Sequence, residues 1–518
     1  MKTHLLLGSV ALLALATPAL AQETPQAYPE NSGLDVPIDE AKPADAAPAP
    51  TGDAVLDRLN TLEARIRQLE ARNAELEASS AEVATRVEKV EVRAATAVQS
   101  GPAPTFADVT GDFTFKPRGT FQLDYAAYNE GKGGYDYNNG TDIRRARFGF
   151  DGTAFKKFKW RIEAEYVKST VNLLDAYIQY ALNPKWSVTF GQQKAPFGLE
   201  ANSTDAFNSF LERGMANTAF GAIGAERRVG VNLGYASDHL YANLGVFGAG
   251  EAVQRNADSP DEAQGINGRI VWEPIVDTDK LVHVGVSGYR ASNFQTVAAV
   301  SSVATCTGST AATCTFTTAA AKVPNTVRLS DRPGSRIDGG NLIDTGSITN
   351  VRSATFVGGE LALVKGPFSI QGEYDHLTLD RYGADPSLSF DGFYVFGSWF
   401  LTGESRAFKG GSADRLKPFN DFNPSAGKWG AVELLVRYDQ IDLSDYRFGT
   451  GTNLTNAGKG TSWTGGINWY LNPNTKFVFN YIHFKGDNSP LNSTGKVGKT
   501  APIQAEGDVL GTRLQFDF

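Results

Sequence analysis

Apolar and polar residues alternate with a period of two from Asp112 to the last residue, Phe518. In Lys157–Tyr166, the side chains of Phe158, Trp160, Ile162, Ala164 and Tyr166 fall on one side of an extended chain. Lys159, Arg161, Glu163 and Glu165 fall on the other. Val432, Leu434, Val436 and Tyr438 alternate in the same way with Glu433, Arg437 and Asp439. The chain ends on this pattern, with Leu514, Phe516 and Phe518 opposed to Arg513, Gln515 and Asp517. Sixteen such segments start near Asp112, Thr141, Lys157, Val171, Lys185, Arg227, His239, Gln264, Lys280, Val351, Phe368, Asp391, Gly427, Thr461, Thr475 and Gly507. One face of each wants hydrocarbon and the other wants water.

Upstream the period changes. Leu59, Leu62, Ile66, Leu69, Asn73, Leu76, Ser80, Val83, Val87 and Val90 step by three and four, flanked by Glu, Arg and Lys. This narrow heptad seam predicts an N-terminal α-helical coiled coil over 53–92, and therefore an oligomer; Asn73 occupies an a position, where a buried amide sets register. Residues 1–21, MKTHLLLGSVALLALATPALA, have a basic start, an apolar run and a small-residue end, the pattern of a signal peptide. Residues 22–52 and 93–110 are polar and rich in Pro and Ala, so they read as linkers. Residues 111–518 remain as the alternating domain.

The connections in that domain alternate in length. Short turns carry turn chemistry, as in LNPKW (182–186), ASDHL (236–240), VKGPF (364–368) and LNPNT (471–475). Long Gly- and Asn-rich loops lie between them, at 129–140, 250–263, 293–349, 442–460 and 487–505. Thr402–Ala426 breaks this rule, being long on the short-turn side. A secreted β-sandwich would share the alternation, but a dry core does not accept Arg145, Arg161, Glu163, Asp175, Glu373 and Arg437 on its inner faces. A water-filled lumen does. The predicted fold is therefore all-β: a 16-stranded antiparallel transmembrane β-barrel of an outer membrane, preceded by the coiled coil in the periplasm. Trp160, Trp186, Phe368, Trp469 and Phe477 sit near strand ends, where interfacial girdles form.

The lumen-facing side chains carry the candidate chemistry. Arg145 and Arg147 have inward parity, whereas Arg144 has the lipid-side parity but lies near a strand end. Lys159, Arg161, Arg228, Arg269 and Arg437 add further inward cations. Guanidinium groups along a pore attract anions and offer paired donors to phosphate or carboxylate. Glu163, Glu165, Glu360, Glu373 and Glu433 also face inward, so an Arg/Glu network that only stiffens the wall is the competing reading. Residues 191–228, GQQKAPFGLEANSTDAFNSFLERGMANTAFGAIGAERR, are too long for a hairpin and predict a loop folded into the channel, with Lys194, Glu200, Asp205, Glu212 and Arg213 at the constriction.

RRARFGFDGT, GQQKAPFGLE, LERG, FLTGESRAFK, WGAVELLVRYDQIDL and GGINWYLNPNTKFVFNYI resemble the phosphate-selective porin O and P family over about 112–518. The resemblance implies a trimeric 16-stranded outer-membrane porin with an arginine ladder, to which Arg144, Arg145 and Arg147 correspond. It also implies a lysine in the constriction loop. Here those loop positions read Ala201, Asn202, Ser203, Thr204 and Asp205. The missing lysine and added carboxylate predict weaker phosphate binding and easier passage of cations.

The expected function is passive diffusion of small anions, phosphate or polyphosphate among them. The alternative is a general or weakly cation-selective porin that also tethers the outer membrane to peptidoglycan through its coiled coil. Expected partners are small inorganic anions, outer-membrane lipid and two further copies of the chain. A formal net charge of −8 argues against nucleic acid. His4, His239, His283, His376 and His483 are scattered and no serine is marked out, so no enzyme, cofactor or metal is expected. Cys306 and Cys314 are close in sequence, and in an exported chain they are candidates for a local disulfide.

Overall fold

The computed structural model describes residues 52–95, 103–108, 110–132, 137–248, 263–292, 326–448, 455–489 and 503–518, with the short strand segments 296–297, 302–306, 314–318 and 322–323. The signal-peptide reading, and the first linker up to residue 51, lie outside the described residues. Met1–Arg86 and Val87–Phe518 are separate compact units.

The heptad segment is helical as expected, within a helix α1 that runs Gly52–Ala95. Its seam is bare in the single chain: Leu56, Leu59, Leu62, Ile66, Leu69, Leu76 and Val83 are 53–61% exposed.

The second unit contains sixteen long strands. They are β1 (Thr114–Lys132), β2 (Gly140–Ala154), β3 (Phe158–Val167), β4 (Thr170–Ala181), β5 (Trp186–Lys194), β6 (Arg227–Ala236), β7 (Leu240–Phe247) and β8 (Gln264–Val276). They continue with β9 (Lys280–Ser292), β10 (Val351–Lys365), β11 (Phe368–Arg381), β12 (Leu388–Phe400), β13 (Ala431–Asp442), β14 (Lys459–Asn472), β15 (Thr475–Ser489) and β16 (Ile503–Asp517). Each start lies within four residues of the one expected from the alternation. Every strand pairs antiparallel with the next, and β16 pairs with β1, so the barrel closes without an edge. Phe121 lies opposite Phe516, and Gly119 and Phe518 exchange backbone hydrogen bonds of 3.0 and 3.1 Å.

The alternation sorts the faces. On β1 and β16, Phe121, Leu123, Tyr125, Leu510 and Phe516 are exposed on the outside, while Gln122, Asp124, Arg513 and Gln515 are buried inside. At the short-turn end the aromatic rings pair: Trp186 with Tyr235 at 5.0 Å, Phe368 with Trp399 at 5.9 Å and Trp469 with Phe477 at 5.9 Å. This is the girdle expected at a membrane interface.

Two features depart from the sequence reading. The lumen is not uniformly wet. Segments 195–226 and 326–350 fold inward and share an apolar core with the inner face of the wall, in which Phe197, Phe220, Leu342, Phe356, Phe390 and Phe484 are fully buried. Inward Leu377, Leu379 and Ile441 belong to this core; the polar face of the strands turns apolar where the loops pack on it. The irregular segment 402–426 also enters the lumen from the short-turn side. Its hairpin, Phe408–Lys409 with Ser412–Ala413, accepts a hydrogen bond from Arg269 at the Gly411 carbonyl (2.7 Å) and one from Asn202 at Ser412 Oγ (2.9 Å). Cys306 stands opposite Cys314 in a short antiparallel pair, but their side chains, and with them the disulfide reading, lie outside what is described.

Candidate functional site

After β5 the chain turns inward at Gly198, whose φ is +51°. A Cβ there would lie 2.9 Å from Asn217 Nδ2, so both the backbone conformation and the space select glycine. The single-turn helix α2 (Leu199–Asn202) then presents its free N–H groups to Glu373 on the barrel wall. Leu199 and Glu200 donate to Glu373 Oε1, the latter at 2.8 Å, and Asn217 donates to Oε2 at 2.9 Å. Helix α3 (Met215–Gly224) is held in the same way: Met215 N–H donates to Asp439 at 3.0 Å, and Gly214 N–H to Glu200 at 2.8 Å. Glu373 and Asp439 of the wall, with Glu200 of α2 itself, thus satisfy the orphan donors at helix starts, which fixes the loop across the lumen. Glu373→Ala removes three of these bonds. It is expected to give larger, noisier single-channel currents and faster amide exchange over 199–224, without loss of the barrel.

Between the two helices, two loop carboxylates each gather three arginines. Asp205 meets Arg147 and Arg213, both at 2.5 Å, and Arg145 at 3.4 Å. Glu212 meets Arg144 at 2.7 Å, Arg336 at 3.3 Å and Arg513 at 3.4 Å. Arg144 reaches this position through a β-bulge: Gln122 opposes Arg145 and Leu123 opposes Ile143, so Arg144 is the extra residue and turns inward. Its lipid-side parity is thereby corrected. Burial alone would raise the carboxyl pKa of Asp205, but Arg145, Arg213 and Arg147 hold it well below the usual range. Arg144 outweighs burial in the same way at Glu212.

Other residues singled out from the sequence are spent elsewhere. Arg269 pairs with Glu360 at 2.6 Å within a buried group that includes His283 and Glu273. Arg437 lies over the Phe210 ring at 4.5 Å and donates to the Glu212 carbonyl at 3.0 Å. Arg228 caps the carbonyls of Ile223 and Gly248. Glu200 is buried as an acceptor for Gly214.

The open space lies along β1–β7. A cavity of about 280 Å³ and a second of about 310 Å³ share Arg161, Tyr177 and Gln179 in their walls. The lining contains seven cationic side chains, Arg118, Arg147, Arg161, Arg227, Lys116, Lys159 and Lys194, against four carboxylates, Asp151, Glu163, Asp175 and Asp205. The arginines are paired: Arg118 with Glu163 (2.9 Å), Arg161 with Asp151 (2.6 Å), Arg227 with Asp175 (2.9 Å) and Arg147 with Glu165 (2.9 Å). Lys116 and Lys159 make no ion pair among the described residues. Lys194 Nζ donates to the carbonyls of Ala201 and Ser203 at 2.9 and 2.8 Å, which brings a cation beneath the constriction loop. Ala201 itself packs on the apolar core.

Sequence reasoning found Arg147, Lys159, Arg161 and Lys194 in this lining. It missed Lys116 and Arg118, although they share inward parity with Gln122 and Asp124 on β1. It also missed Arg227, because the first residue of β6 breaks parity to reach Asp175.

A family model described as phosphate-selective porin O and P matches residues 115–311 and 307–518. Porin O of Pseudomonas aeruginosa is 27% identical over 429 residues, covering 79% of this chain and 89% of that protein. An uncharacterized protein of Caulobacter vibrioides is 27% identical over 436 residues, covering 82% of this chain and 78% of that one. Among solved structures, the anion-selective porin from Comamonas acidovorans has a TM-score of 0.46 at 13% identity, with 78% of this chain and 100% of that chain covered. OmpT of Vibrio cholerae, an outer-membrane protein in a trimer form, has a TM-score of 0.45 at 13% identity, with 78% and 99% covered.

Proposed function

The chain belongs to the phosphate-selective porin O and P family of outer-membrane porins, and from that premise we propose that it passes small anions, with oxyanions such as phosphate preferred. The observation that carries this reading is the lining of the β1–β7 cavity, with seven cations against four carboxylates. Such an excess in a narrow aqueous path raises the local anion concentration and lowers that of cations. Asp205 does not reverse the balance, because three guanidiniums surround it.

Lys194 serves as the constriction cation in place of a lysine at position 201. Two of its three N–H donors hold loop carbonyls. The third serves a passing oxyanion, with Arg147 and Arg227 as neighbours in the same lining.

The test is the zero-current potential of the purified protein in a planar bilayer under a KCl gradient, followed by phosphate titration of the chloride current. Anion preference with partial block by phosphate is expected. Lys194→Met should abolish the block while leaving a weaker anion preference. A zero or cation-directed potential in the wild type overturns the proposal.

A homotrimer is the assembly that accompanies this reading. The seam of α1, bare in the single chain, supports self-association, and its 44 residues extend about 66 Å as a helix. Deleting 22–110 separates a trimerisation stalk from a tether. Normal envelope integrity with a weakened trimer marks the stalk, and blebbing marks a contact with peptidoglycan.

A further inference from the structure

At the short-turn end of the wall, Lys280 and Lys365 stand directly opposite each other in the register of β9 and β10. Both are exposed on the outward face. Like charges directly opposite across a strand pair cost stability. Neither lysine makes an ion pair or a side-chain hydrogen bond among the described residues. Asp277 and Asp279, in the turn just before Lys280, form none with them.

Next to the pair, toward the middle of the membrane, lies an outward groove of about 380 Å³. Its lining is apolar apart from the two lysines and Ser369, and includes Ile275, Val282, Leu363, Phe368 and Ile370. The register sets Val282 against Leu363 and Leu363 against Ile370, so a row of apolar side chains crosses β9–β11 one outward-facing step from the charged rim.

The geometry points to a binding site for one anionic phospholipid of the periplasmic leaflet, with an acyl chain in the groove and the phosphate between Lys280 and Lys365. Short turns face the periplasm in outer-membrane barrels, which places the rim at the headgroup level of that leaflet. A lipid phosphate supplies the missing counter-charge, and each lysine near a membrane surface favours an anionic headgroup. A protein partner seated here would bury two unpaired ammonium groups. Inorganic phosphate alone would leave the groove unfilled.

The test uses the full chain, extracted in a non-ionic detergent and examined by native mass spectrometry with added phosphatidylglycerol or phosphatidylethanolamine. One phosphatidylglycerol per chain is expected to be retained, with a preference of roughly tenfold or more over phosphatidylethanolamine. Lys280→Gln with Lys365→Gln should remove the preference. Leu363→Trp, which fills the groove and keeps both lysines, should remove the bound lipid. Added inorganic phosphate should not displace it. Heat-modifiable gel migration checks folding, and Lys365→Gln alone carries the comparison if the double variant does not fold. Equal retention of the two lipids, an unchanged preference in the charge variant, or displacement by inorganic phosphate overturns the proposal.

Discussion

Replacing Asp205 with asparagine is expected to loosen the constriction loop and to increase the anion preference together. Asp205 is buried and joins two arginines of β2, Arg145 and Arg147, to Arg213 of the loop itself. Removing one partner from a buried ion cluster typically costs about 3–5 kcal/mol, because the charges left behind lose their compensation. Amide exchange over 199–224 should therefore accelerate strongly, while the strands of the barrel keep their protection. In the same variant the lining loses one of its four carboxylates, and Arg147 turns toward the cavity without its shortest partner. A unit charge ~6 Å from an ion path is worth about 0.7 kcal/mol at the dielectric of water, roughly a threefold change for the anion and a threefold change in the opposite sense for the cation, or about tenfold in their permeability ratio.

The pH dependence gives an independent check. The carboxyl of Asp205 is depressed in the folded protein, so its stabilisation is present above the ordinary carboxylate range and is lost only as pH falls through the lowered value. Wild-type protein taken from pH 7 to pH 4 should keep the loop protected, whereas Asp205→Asn should show it exposed at both. Loss of wild-type protection by pH 4 over 203–213, with the helices anchored by Glu373 and Asp439 still protected, would show that the arginines do not hold this carboxylate as described.

The barrel was legible because its signal is local. A period of two, sustained through strand after strand, fixes which side of each strand faces lipid, and turn residues mark where the chain reverses. The lumen was less legible because its contacts are not local. Parity placed Arg144 toward lipid, and a single extra residue in β2 turned it to Glu212, 68 positions away. The reading of Asp205 as a carboxylate open to cations followed from its residue type; its surroundings depend on where β2 meets the folded loop. Inward Leu377 and Leu379 continue the alternation of β11 yet belong to an apolar core that exists only because two loops enter the barrel. Arg437 has the expected parity, but Phe210 and Glu212 of the constriction loop cover it. Parity tells which residues enter the lumen. Loop packing decides which of them an ion meets.

That distinction yields the second large effect, in which two pairs of substitutions remove the same charge and give different channels. Lys116→Gln with Lys159→Gln, and Arg161→Gln with Arg227→Gln, each reduce the seven lining cations to five against four carboxylates. The lysines have no carboxylate partner among the described residues, so their loss changes the field and little else. The local anion concentration should fall by about tenfold, at roughly threefold per charge, and anion preference with it, with loop exchange unchanged. The arginines are the two cations within ion-pair distance of Asp175, at 3.8 and 2.9 Å. Their removal leaves that carboxylate bare in the cavity lining, where it attracts cations directly. Screening over about 10 Å at 0.1 M salt makes this local change outweigh the distant remainder of the lining. The arginine pair should therefore carry the zero-current potential through zero to cation preference, while the lysine pair only lowers it. Equal shifts would mean that net charge alone sets selectivity and that the Asp175 cluster has no local role. No shift in either variant would mean that ions do not travel along β1–β7.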